Sequence, residues 1–271
     1  MIIVVCPGQG SQTPGFLSPW IENSASRELL TSFSEAAGTD LLTHGTTSDA
    51  DTIRDTAVAQ PLIVAAGILT LNALRESGHL ARVGGIAGHS VGEFTAAAGA
   101  GVLDATDAVR LVGLRGRAMA EAAALVPTGM SAIIGGEITE ILSVLDELSL
   151  YAANYNGGGQ LVVAGELTAL AALSANPPAG TRVIPLPVAG AFHTKYMANA
   201  VDTLRAAAAP LATRDPSLTL WTNNDGSVVS DGARFRDLLV GQISSPVRWD
   251  LCMESFAAAG VTGIIEVAPA G

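Results

Sequence analysis

A chain of 271 residues, 49% hydrophobic and 14% charged, can bury one large core, or a core with a small inserted domain. Its net charge of −11 at pH 7 argues against non-specific nucleic-acid binding. No apolar run is expected to reach the roughly 20 residues of a membrane span, and Met1–Cys6 lacks the basic segment of a signal peptide, so a cytoplasmic protein is expected. Cys6 and Cys252 stand far apart in no metal-ligand or redox spacing and read as reduced core thiols.

In chain order, Ile2–Cys6 reads as a buried strand, followed by the loop Pro7-Gly8-Gln9-Gly10-Ser11-Gln12. No element is assigned from there to Thr56. Thr56–Glu76 carries helical apolar spacing, with Pro61 near its start, where a missing N–H is tolerated. Val83–Ala87 is a short strand, and a helix runs from Gly92 to about Gly99. Asp104–Ala124 is a long helix opened by acidic residues, which suit its N-terminal dipole.

From Pro127 to Pro187 the rhythm changes. Met130–Ile134, Tyr151–Tyr155, Gln160–Ala164 and Arg182–Leu186 read as strands, with helices over Ile138–Leu148 and Glu166–Ala175. That βαββαβ order is ferredoxin-like and compact enough to form an inserted subdomain over 127–187. Residues 1–126 and 188–271 then make the large domain. In its second part, helices are expected over Tyr196–Ala209, Asp231–Gln242 and Trp249–Ala259, and strands over Leu218–Thr222 and Thr262–Val267. Strands alternating with helices imply a mostly parallel α/β sheet.

Gly88-His89-Ser90-Val91-Gly92 is a G-x-S-x-G pentapeptide between a predicted strand and a predicted helix, the context of a nucleophile elbow. The alternative is a Gly-rich loop whose serine caps a helix. A serine nucleophile needs a base within hydrogen-bond reach, and the chain has four histidines. His89 should diverge from the Ser90 hydroxyl, and His44 and His79 lie in polar, loop-like stretches. That leaves His193, where the inserted segment rejoins the large domain. Arg115 sits on an apolar helix, with Gly116 expected to open space beside its guanidinium, and such a side chain can hold a carboxylate bidentately. The Gly8-Gln9-Gly10 loop lacks a Walker lysine and reads as a backbone donor to an oxyanion.

Together, Pro7-Gly8-Gln9-Gly10-Ser11-Gln12, Gln60-Pro61, Gly88-His89-Ser90-Val91-Gly92-Glu93, Arg115-Gly116, Gly190-Ala191-Phe192-His193 and Gln242 with Pro246-Val247-Arg248-Trp249 resemble malonyl-CoA:acyl-carrier-protein transacylases over nearly the whole chain. The resemblance implies a hydrolase-like α/β domain with a ferredoxin-like insertion. It implies that Ser90 carries the malonyl group, that His193 is its base, and that Arg115 grips the malonyl carboxylate. Backbone N–H groups of Gln9 and Val91 would form the oxyanion hole, and the main-chain carbonyl of Gln242 would orient His193. Gln60 and Asn156 match positions near the substrate, and Phe192 resembles the pattern of malonyl-selective members. The implied partners are malonyl-CoA and holo acyl carrier protein, with no nucleic acid, no membrane and a monomeric state. No metal or cofactor is implied beyond coenzyme A as carrier of the acyl group. Two departures stand out: Cys6 replaces the usual Phe, and family members usually continue through another helix past Gly271.

Three other readings stay open here, one of them a module that binds acyl carrier protein or coenzyme A without chemistry. A serine hydrolase would want an acid in the order Ser…acid…His, which Asp146 or Glu147 would satisfy. A loader for a polyketide or malonate-decarboxylase carrier would keep the same chemistry. Lys195, the sole lysine, with Arg117 and more weakly Arg82, is a candidate dock for an acidic carrier.

Overall fold

In the computed structural model, which describes residues 1–270, β1 (Ile2–Cys6) alternates between two buried faces. Val4 and Cys6 join the main core, whereas Ile3 and Val5 join a second cluster around Trp221 and Phe256. A strand apolar on both sides belongs in the middle of a covered parallel sheet. Three helices follow, α1 (Ser24–Ala37) and the short α2 (Leu41–Thr46) and α3 (Ala50–Arg54), none of which is assigned from sequence. Each begins at an acceptor side chain, Asn23, Asp40 or Asp49, that takes a first-turn N–H; such a cap contributes about 1 kcal/mol. His44 therefore lies in a helix rather than a loop, and His79 in a single 3-10 turn.

The α4 helix (Thr56–Glu76) is 21 residues long and, by length and hydropathy, apolar enough to cross a membrane, which corrects the expectation that no run approaches that size. Two thirds of its apolar window, 67%, is buried inside the protein. Pro61 sits in its second turn rather than its first, and so leaves the Ala57 carbonyl without a helical donor. Then come β2 (Val83–Gly88), α5 (Gly92–Gly99) and α6 (Ala105–Ala123). Next is the run β3 (Thr128–Gly135), α7 (Ile138–Glu147), β4 (Tyr151–Gly157), β5 (Gln160–Glu166), α8 (Leu167–Ala175) and β6 (Thr181–Leu186). The chain closes with α9 (Ala198–Ala208), β7 (Thr219–Leu220), α10 (Gly232–Gly241), β8 (Val247–Arg248), α11 (Trp249–Ala258) and β9 (Gly263–Glu266).

The first sheet is parallel, in the order β7-β2-β1-β9. Its register pairs Cys6 with Gly88, so the Pro7–Gly10 loop and the Ser90 turn leave the carboxyl ends of neighbouring strands side by side. That edge is where open parallel sheets bind ligands. The second sheet runs β6-β3-β5-β4-β8, and its first four strands are antiparallel in the ferredoxin-like order. Alternation along its strands separates two faces. Ile133, Leu161 and Val163 pack with Ile141 and Leu145 of α7 and Leu170 and Leu173 of α8. Met130 and Val162 point the other way, toward the first sheet and the main core. The fifth strand, β8, comes from the 188–271 segment and pairs parallel with β4 through Asn154↔Val247 and Tyr155↔Arg248. Two residues carry no readable alternation, so this strand was not anticipated.

Candidate active site

The Ser90 turn is held by close backbone packing. A Cβ on Gly92 would lie 2.1 Å from the Cys6 carbonyl oxygen, and one on Gly88 would lie 2.0 Å from the Gly92 carbonyl carbon. Only glycine fits either place. Ser90 itself adopts φ 52°, a left-handed conformation that non-glycine residues avoid. Asn223, fully buried at the carboxyl end of β7, braces it from both sides. Its Oδ1 accepts the Ser90 N–H at 2.7 Å, and its Nδ2 donates to the Gly88 carbonyl at 2.8 Å. Sequence reasoning missed Asn223. The signal available was its place just after a predicted strand of a parallel sheet, where site residues gather.

His193, also at positive φ (61°), brings Nε2 to 2.7 Å from Ser90 Oγ. Its Nδ1 lies 2.9 Å from the Gln242 carbonyl oxygen, an acceptor only, so Nδ1 carries the proton and Nε2 is free to accept the serine hydroxyl. Burial and the nearby Arg115 charge push the imidazole down to about 3, against a smaller upward pull from the Gln242 carbonyl. The ring is therefore neutral. No carboxylate takes part. Asp146 and Glu147 are exposed on α7, which packs on the face of the second sheet turned away from Ser90. The hydrolase reading thus loses its acid.

A cleft of about 270 Å³ lies between the two sheets, lined by Gln9, His89, Ser90, Asn156, Phe192 and His193, with Met130, Ala132, Val162, Leu186 and Val188 on the second-sheet side. The backbone N–H groups of Gln9 and Val91 meet no acceptor among the described residues. His89 diverges from Ser90; its Nε2 is 3.0 Å from Asn156 Oδ1, and its ring stands edge-on to Trp249. Burial lowers its pKa.

Gln60, Arg115 and Gln242 do not line the cleft; they form a layer behind it. Arg115 is 1% exposed. Its Nη1 donates to Gln60 Oε1 at 2.6 Å and its Nη2 to Gln242 Oε1 at 2.9 Å, while Nε has no acceptor. Burial lowers the guanidinium to about 10, opposed by the Glu93 charge. Gly116 does not open space beside it: a Cβ there would meet the Thr56 carbonyl at 2.8 Å, so this glycine lets α6 approach α4. Glu93, missed from sequence although it follows the pentapeptide directly, is buried too. Burial lifts its carboxyl to about 7 against hydrogen bonds from Asn223, Thr222 and Gln242. Arg117 donates to the Ala37 carbonyl at the end of α1, so it caps a helix rather than facing a partner freely. Lys195 is exposed between the rings of Tyr151 and Tyr196, at 5.1 and 5.8 Å.

Residues 3–270 match the acyl transferase domain family. The malonyl CoA-acyl carrier protein transacylase of Mycobacterium tuberculosis (strain ATCC 25618 / H37Rv) is 52% identical over 272 residues, covering 100% of this chain and 90% of that protein. The chain belongs to this acyltransferase family. The crystal structure of the M. tuberculosis family member superposes with a TM-score of 0.98 at 51% identity, covering 100% of this chain and 90% of that one. A second family structure, a malonyl-transacylase in complex with its type II PKS acyl-carrier protein, superposes with a TM-score of 0.88 at 31% identity, over 98% of this chain and 88% of that one.

Proposed function

We propose that this acyltransferase moves a malonyl group from malonyl-CoA to the phosphopantetheine thiol of holo acyl carrier protein through a malonyl ester on Ser90, supplying fatty-acid elongation. His193 Nε2 takes the hydroxyl proton as Ser90 Oγ attacks the thioester carbonyl. The oxyanion is met by the N–H groups of Gln9 and Val91, whose lack of other acceptors supports that role. The carbon–sulfur bond breaks, and coenzyme A leaves as a thiol carrying the proton from His193. The carrier thiol then repeats the steps in reverse on the ester. Each half-reaction balances with these groups alone, so the reading calls for no metal or cofactor.

The observation that carries malonyl over neutral acyl groups is Arg115: a buried guanidinium whose acceptors are two neutral amides, with Nε still unpaired. A substrate carboxylate reaching past Ser90 would supply the missing charge. Gln60 then serves by steadying Arg115. Phe192 and Asn156, on the cleft wall, limit the space around the acyl group and its thioester. Lys195 is proposed to dock the acidic carrier beside the cleft, so Lys195→Glu should raise the KM for carrier protein at low salt and leave the KM for malonyl-CoA alone. A cytoplasmic monomer is the working form proposed, testable by gel filtration; two buried free thiols are compatible with a reducing compartment.

Intact-protein mass after brief exposure to malonyl-CoA, acetyl-CoA or methylmalonyl-CoA tests the proposal. A malonyl adduct on Ser90 that discharges onto holo carrier protein is expected. Free coenzyme A accumulating without an adduct would overturn it in favour of hydrolysis.

A further inference from the structure

Glu93 and Arg115 are the charged residues buried around the Ser90 turn, and they form no ion pair within 4.0 Å among the described residues. The Gln242 side chain stands between them. Its Nε2 donates to Glu93 Oε2 and, at 3.1 Å, to the Ser90 carbonyl; its Oε1 accepts from Arg115 Nη2 at 2.9 Å. The orientation of this amide has one solution. A guanidinium only donates, so the carbonyl must face Arg115, and that turns the NH₂ toward Glu93 and the Ser90 carbonyl. Glu93 is fixed in turn, because its Oε1 accepts the Asn223 backbone N–H at 2.6 Å, and that donor cannot rotate away.

The interposed amide has an electrostatic result. Direct contact with Glu93 would neutralise Arg115, and an arriving substrate carboxylate would meet a closed ion pair. Held by the amide oxygens of Gln60 and Gln242 instead, the guanidinium is fixed in place with its charge unmatched and one N–H unpaired. We infer that Glu93 and the side-chain amide of Gln242 are positioning residues that set the preference of Ser90 for carboxylated acyl groups, acting through Arg115. This rests on the proposed role of Arg115 as receiver of the malonyl carboxylate. It is separate from the Gln242 main-chain carbonyl that orients His193.

Two variants test it, each read by the rates of malonyl and acetyl loading on Ser90 in rapid-quench mass spectrometry. In Glu93→Gln the amide oxygen must keep the Asn223 N–H, so its NH₂ faces Gln242. The Gln242 amide then either faces that NH₂ with its own or turns over and presents a donor to Arg115, and both outcomes loosen the hold on the guanidinium. Malonyl loading is expected to fall at least about tenfold while acetyl loading changes less than about threefold, the loss of one hydrogen bond to a charged group. In Gln242→Glu a carboxylate contacts Arg115 directly, and the malonyl-to-acetyl ratio should fall about tenfold whatever the change common to both rates. An unchanged malonyl-to-acetyl ratio in either variant would overturn the inference. So would a parallel loss of both rates, which marks a merely structural role. Wild-type protein that loads both acyl groups equally would instead defeat the assignment of Arg115 itself, and the two failures are told apart by that control.

Discussion

The neutral His193 makes the sharpest quantitative prediction. Its imidazole is held at about 3 in the folded protein, against an ordinary 6.5. That difference of about 3.5 units corresponds to roughly 5 kcal/mol against protonating the ring in place. At pH 5 about 1% of His193 would be charged, where an ordinary histidine is about 97% charged. Histidine-selective NMR over pH 8 to 4.5, with His193→Gln to assign the signal, should show one ring that does not titrate. The rate of acetyl loading on Ser90 should stay flat over the same range. Stability carries the opposite signature. Because the unfolded chain binds the proton that His193 refuses, this contribution is complete above pH 6.5 and falls by about 1.4 kcal/mol per unit as pH drops toward 3. Glu93, raised from 4.5 to about 7, works the other way: its contribution is complete below 4.5 and is lost as pH rises through 7. The two slopes nearly cancel between pH 4.5 and 6.5. Removing the ring uncovers the Glu93 slope, so His193→Gln should gain about 2 kcal/mol on the wild type as pH falls from 6.5 to 4.5. A His193 inflection between pH 6 and 7, in the NMR signal or the acetyl-loading rate, would refute the reasoning.

Three further outcomes follow from named contacts. Arg115→Ala should lower kcat/KM for malonyl-CoA about 100-fold, the scale of two charge-assisted hydrogen bonds, and spare acetyl loading; equal loss on both, read by acyl-enzyme mass, would count against a carboxylate receiver. Asn223→Ala leaves the Ser90 N–H and the Gly88 carbonyl without their buried partner and should cost about 2–5 kcal/mol in thermal or urea unfolding, with slower acylation at 25 °C. Gly92→Ala drives a methyl group against the Cys6 carbonyl and should yield protein that melts far below wild type or stays insoluble; an unchanged melting temperature would contradict the packing of the turn.

The parts of the site that were legible in sequence are those whose chemistry is local. Gly88 and Gly92 announce a turn too tight for side chains, and Ser90 follows from them. Elimination among four histidines leads to His193, because the others lie where a base is of no use. Residues that act at long range were silent. Asn223 is 133 positions from Ser90 and Glu93 is 149 from Gln242, and nothing in periodicity joins such pairs. Arg115 was noticed for the wrong local reason, since Gly116 serves the crossing of α6 over α4. The strands of both sheets, β8 apart, were readable as short apolar or alternating runs. The helices between Ser24 and Arg54 were not assigned although Asn23, Asp40 and Asp49 stood ready as caps, because α2 and α3 are too short to display an apolar stripe.

The parallel pairing of β8 with β4 bears on how this protein can be cut and recombined. An engineer who lifted residues 127–187 out as a cassette, to graft another acyl-pocket wall, would sever the 154–247 and 155–248 pairs and leave β4 with bare N–H and C=O groups along one side. Such a strand invites pairing with the wrong chain. The excised piece should aggregate, and the host should lose its grip on the segment that carries Gln242 toward His193. A working exchange would have to take Val247 and Arg248 along, so the transferable unit is discontinuous in the gene although it is continuous in space.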